Sequence, residues 1–234
     1  MKNKNILNSN LYTALRYLYY FLTTNLLFLL ANILFFLVFF SVPLLVENVL
    51  IYSLALIPTG PALAALFFSM GILVRQKSLA PVKDFFRGYK DSLKISLFFW
   101  TIQLSLSVIV LVDAFYFYTK GSMLVAITFA LAFILLAVFS MIGFPMMAIF
   151  EITVANIYRS AVVIMWRYFR KQLGNLLTIM AFVVIFYAFP SEMFLFFFSL
   201  IAFYIMRSNQ TMFIDLESQF SQINGSYERG THDD

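Results

Sequence analysis

Long stretches without a single charge set the terms for any fold. Residues Tyr17 to Val46 form one such run and Asn48 to Val74 another. Both exceed the ~20 residues an α-helix needs to cross a bilayer. Hydrophobic residues make up 62% of the 234 positions and charged ones 12%, about half the charge of an ordinary soluble domain. The expected fold class is therefore all-α, a polytopic membrane bundle. The first run is too long for a signal-peptide core and has no small-residue cleavage site, so it reads as a retained span.

Charge and turn residues divide the apolar chain into six expected spans, roughly 22–46, 49–74, 95–118, 122–148, 173–189 and 192–206. With the N-terminus in the cytoplasm, 15 of the 16 basic residues fall on the cytoplasmic side, leaving only Lys120 outside. That is the asymmetry the positive-inside rule demands, and it predicts both termini inside. The membrane domain is expected over 1–208, and 209–234 as an amphipathic turn followed by a disordered tail ending in "NGSYERGTHDD". The outer connections (Glu47-Asn48, Thr119-Lys120-Gly121 and Pro190-Ser191-Glu192) are too short to build an external receptor surface.

Two cytoplasmic segments have helical periodicity. In "SLAPVKDFFRGYKDSLK", Pro81 suits a first turn. Lys83, Arg87, Lys90 and Lys94 make a basic stripe, and Phe85, Phe86, Tyr89 and Leu93 make the opposing face. The segment from Ile152 to Gln172 carries Arg159, Arg167, Arg170 and Lys171 among apolar residues. Such helices are expected in the interface, touching membrane lipids, or docked on a cytoplasmic partner. An aromatic-basic segment leads into a hairpin of spans three times, before Asn25-Leu26-Leu27, Ser92-Leu93-Lys94 and Asn175-Leu176-Leu177. The pattern suggests three parallel copies of one unit.

Catalytic signatures are missing. There is no Cys, the sole His is His232 in the tail, and no P-loop or close pair of intramembrane carboxylates occurs. A non-enzymatic protein with no cofactor, no metal and no nucleic-acid partner is expected. Charge inside a span is costly and so informative. Asp113 is the intramembrane polar site, either paired with Lys120 or lining a polar cavity. Glu151 is expected to cap the following helix or to pair with Arg159. Asn25, Asn32, Gln103 and Asn175 are expected to hydrogen-bond between spans.

The sharpest feature is "IPTGPALAAL", where Pro58, Thr59, Gly60 and Pro61 break the second span about nine residues from its outer end, close to mid-membrane. Broken backbone survives there only when buried in protein or lining a watery cavity. Thr59 is expected to cap a new helix with Pro61 in its first turn. Ala62, Ala65 and Ser69 would let another helix approach closely, or the break would face a cavity or a partner subunit.

From Ile57 onward, "IPTGPALAALFFSMGILVRQKSLAPVKDFFRGYKDSLK" resembles the YesL-like membrane proteins of Gram-positive bacteria, a family of unknown function. The likeness rests on the Pro58–Pro61 turn, the Ala-rich span from Ala62 to Ala65, and Asp84–Lys90. The resemblance implies no catalytic residues. It implies an accessory component of oligosaccharide uptake in the bacterial cytoplasmic membrane, docked to the permease or ATPase subunits of a carbohydrate ABC importer. Two other readings stay open: an independent carrier with its cavity at the break, and a membrane-organising or sensing protein.

Overall fold

The structure is a computed structural model and describes residues 2–230. The end of the expected tail, Thr231–Asp234 with His232, lies outside the described residues. No strand occurs among them. The chain runs through α1 (Lys2–Ala31), α2 (Ile33–Ser41), α3 (Val49–Ala55), α4 (Thr59–Gln76), α5 (Pro81–Thr119), α6 (Met123–Met147), α7 (Val154–Arg167), α8 (Phe169–Ala188), α9 (Pro190–Phe194) and α10 (Phe197–Gly230). Four helical stretches are long and apolar enough to cross a membrane: Leu11–Ala31, α5, α6 and α8. A fifth is possible if Val46–Ala55 and α4, bent by 53°, together form one span.

The core is built around α4, where 13 of 18 residues are buried. A helix buried on nearly every face must be small where neighbours press on it. Ala62, Ala64, Ala65 and Ser69 all have zero exposure, while Leu66, Phe67, Met70 and Leu73 fill the gaps between α1, α5, α6 and α10. The helix ends at Lys77, whose left-handed backbone (φ 57°) lets its N–H bond Leu73 O at 3.0 Å, as a C-terminal cap does. The Lys77 ammonium donates to Val74 O at 2.8 Å, a cation at the negative end of the helix.

The next helix, α5, starts as the sequence predicts, with Pro81 in its first turn. The Asp84 carboxylate reaches back to accept the Ala80 N–H at 2.9 Å, satisfying one of the donors a helix start leaves open. It does not stop at the expected boundary near Lys94. Its 39 residues, about 58 Å at 1.5 Å per residue, make the basic segment and the third span one rod. The basic stripe is thus a rigid extension of a membrane helix, and not a separate helix with its own tilt.

The buried face of that extension is mostly small. It carries Asp84, Phe85, Gly88, Ser92 and Ser96, whereas Phe86 and Leu93 point outward. Close approach explains the arrangement. A Cβ on Gly88 would lie 2.7 Å from Phe68 Cδ1 and 2.8 Å from its Cβ, so only small residues fit that seam and the bulky ones turn away.

After the 119–122 turn, where Gly121 takes φ 77°, α6 returns along α5. Phe117 stacks on Phe129 and Phe99 meets Phe144 edge-on. Helix α7 is the expected amphipathic segment, burying Ile157, Ala161 and Ile164. The chain then breaks at Tyr168 and enters α8. The sixth expected span lies in α9 and the start of α10, and α10 continues as helix to Gly230.

One end of the bundle gathers the basic segments. Arg75 shares a cleft of about 200 Å³ with Phe213 and Glu217. Phe150 packs on Phe213 at 6.2 Å between ring centres. The Lys171 ammonium donates to Thr211 Oγ1, and the Tyr168 hydroxyl to Asp215 at 3.5 Å. The C-terminal end of α4, the α6–α7 linker and the α7–α8 junction therefore meet around residues 206–217 of α10.

Candidate functional site at the paired helix breaks

Two broken helices face each other. Proline supplies no N–H at positions 58 and 61, so the α3–α4 junction is rebuilt from short bonds. Ile57 N donates to Leu54 O (3.3 Å), Thr59 N to Leu56 O (3.0 Å) and Gly60 N to Ile57 O (3.4 Å). The first apolar segment breaks too, at Asn32 between α1 and α2, with the Asn32 side-chain amide on Phe28 O at 2.8 Å. The Thr59 hydroxyl joins the two breaks, donating to Asn32 Oδ1 at 2.5 Å. Thr59 was expected to cap α4. The residue at the cap position is Pro58, with no side-chain cap bond, because the hydroxyl is turned to the neighbouring break.

The third partner is Trp100 on α5. Its indole N–H donates to Leu56 O at 2.7 Å, a second bond to the carbonyl that already accepts Thr59 N. Its Cβ and Cγ lie 2.5 and 2.8 Å from where a Cβ on Gly60 would sit. Glycine is required here by contact and not by backbone conformation. Pro61 and Ala65 are buried in the same core, Ala65 with zero exposure. The break is a packed three-helix joint, with Asn32, Thr59, Gly60 and Trp100 as its working residues.

Antiparallel packing sets Gly60 beside Trp100 and Gly88 beside Phe68. Along α5, Trp100 is six residues, about 9 Å, from Lys94, and nineteen residues, about 28 Å, from Thr119. Pro81 is also nineteen residues away, so the joint lies at the middle of that rod. The α2–α3 hairpin beyond it is short. Its nine-residue arm, about 14 Å long, is closed by Tyr52 Oη donating to Val42 O (2.6 Å) and Asn48 Nδ2 to Pro43 O (2.9 Å).

Other predicted polar residues hold seams as expected, with one exception. Asn25 bridges the α9–α10 break: its amide donates to Phe194 O (2.9 Å) and its oxygen accepts from Phe198 N (3.1 Å) and Ser199 N (3.2 Å). Asn175 donates to Asn209 Oδ1 at 3.1 Å and packs beside Gln172. Ser92, at the equivalent place in the middle of the three suggested copies, is buried on α5. Gln103 is the exception, 1% exposed with neither amide atom partnered among the described residues.

Charged residues complete the map. Arg87 pairs with Asp84 at 3.4 Å and stacks over the Phe68 ring at 5.1 Å. Phe85 is buried and Tyr89 half-buried, while Lys83 and Lys90 are exposed. Arg167 and Arg170 are exposed at the α7–α8 junction. Asp113 is half-buried and makes no ion pair among the described residues; Lys120 lies instead over the Tyr116 ring at 5.8 Å. Glu151 neither caps α7, whose cap position is Thr153, nor pairs with Arg159 among the described residues. It lines two clefts of about 450 and 510 Å³ flanking the α6–α7 linker.

Sequence reasoning missed Trp100 and Phe68. The usable signal for Trp100 was an indole N–H inside an apolar run, which must find an acceptor. We expect Thr59→Val to insert normally and lose about 0.6 kcal/mol, at most about 1.7, the usual worth of one interhelical side-chain bond in a membrane. Thermal unfolding in detergent checks it.

Among known proteins, residues 21–114 match the model of a family described as "Protein of unknown function, DUF624". No curated protein and no solved structure matches the chain. The matched segment runs from the middle of α1 to Ala114 of α5, and so contains both breaks, Trp100 and the basic extension.

Proposed function

We propose, from the premise that residues 21–114 are a YesL-like domain of unknown function, that this protein is a non-enzymatic accessory subunit of a carbohydrate ABC importer in the bacterial cytoplasmic membrane. In this reading the chain crosses six times with both termini in the cytoplasm. The importer association is what the family resemblance implies. The observation that carries the choice among readings is the joint itself: Trp100 occupies the space beside Gly60, and Asn32 takes the Thr59 hydroxyl. A carrier centred on the break would need room and free polar groups in that spot.

The docking surface we assign is the extension of α5. Lys83, Lys90 and Lys94 are exposed on a rod held in place by Gly88 against Phe68. Arg87 is already engaged by Asp84 and Phe68, so the three lysines are the cations offered to a partner. Replacing all three by Glu is expected to cut recovery of co-expressed importer permease and ATPase subunits about tenfold, equivalent to 1.4 kcal/mol. Recovery should also fall with added salt, since exposed charges are screened. Unchanged recovery from a normally inserted triple variant would refute the assignment.

A further inference from the structure

We propose that the groove between α6, α7 and α8 holds an anionic phospholipid, its acyl chain in the groove and its phosphate on Arg170. The groove has a volume of about 240 Å³ and its lining is almost wholly apolar, with Leu131, Leu135 and Val138 of α6 facing Phe169, Leu173 and Leu176 of α8. Such a slot along a membrane-crossing helix suits a hydrocarbon tail.

The groove meets the headgroup level at its α7–α8 end. Trp166 is 79% exposed there, next to the break at Tyr168, and an exposed Trp prefers the membrane–water interface. Helix α7 also exposes Val162 and Val163, the apolar face of a helix lying on a bilayer. Phe169 lines the groove and Arg170 follows it immediately. Helix side chains lean toward their N-terminus, so from the start of α8 Arg170 leans toward the headgroup level while the groove runs inward. The neighbouring cations are committed: Lys171 donates to Thr211, and Arg167 stacks on Tyr168 at 5.7 Å. Arg170 is the exposed guanidinium left for a phosphate, which it suits by its planar donor fork.

Native mass spectrometry of the full chain, after exchange into micelles doped with phosphatidylglycerol or phosphatidylcholine of the same acyl chains, tests this. Phosphatidylglycerol should be retained and phosphatidylcholine should not. Arg170→Gln should weaken phosphatidylglycerol retention about fivefold, the effect of about one cation near an anionic surface. Leu135→Trp, filling the groove at an exposed position, should weaken it with Arg170 intact. Equal retention of the two lipids, or retention untouched by both variants, would overturn the proposal. Displacement of phosphatidylglycerol by inorganic phosphate alone would also overturn it, by making the site one for free phosphate.

Discussion

Gly60→Leu is expected to reach the membrane but not to hold its native bundle. A Cβ at residue 60 would sit 2.5 Å from the Trp100 Cβ, and that atom is fixed to the α5 backbone, so no rotamer change relieves it. The helices must separate, and Leu56 O then loses the indole N–H. Gly60→Ala alone should cost about 1–3 kcal/mol, the range for overfilling a packed core, and Gly60→Leu should cost more. The cause can be isolated. In a Trp100→Gly background, which removes the clashing Cβ, Gly60→Ala should cost almost nothing, giving a coupling of about 0.5–3 kcal/mol between the two sites. Additive losses in thermal unfolding would mean that the two residues do not share one space.

Asn25→Leu is the second large loss. Leucine fills the volume but leaves the N–H groups of Phe198 and Ser199 and the Phe194 carbonyl without the partner they now share. A buried polar group stripped of its partner costs about 1–3 kcal/mol, so the summed effect should rival removal of a large core side chain. Hydrogen exchange adds a local readout. The amides of Phe198 and Ser199 should exchange faster while those of α4 stay protected. Unchanged protection at residues 198 and 199 would contradict the bridging role.

The helical class and the membrane character could be read from the chain because long apolar runs obey a length rule that ignores partners. The Pro58–Pro61 break announced itself because proline removes a donor whatever surrounds it. Asn32, Asn25 and Asn175 were legible as seam residues because amides in an apolar span need acceptors. What they bond to was not, since Thr59, the α9–α10 break and Asn209 lie 27 to 174 positions away. The small residues of α5 carry no comparable signal. Gly88 and Ser92 are buried because α4 comes so near, while Phe86 and Leu93 stay exposed. Which residue of α5 lies opposite Gly60 was not legible either. That register is a property of the packed pair.

We infer that the bundle is sealed and works attached to an importer, and not as a carrier by itself. The most direct measurement is affinity purification in mild detergent from cells co-expressing the chain with a carbohydrate ABC importer, with native mass spectrometry of the product. We predict a stoichiometric complex containing permease and ATPase subunits, lost when Lys83, Lys90 and Lys94 are replaced by Glu. A clean monomer that by itself moves labelled sugar into vesicles would contradict the account.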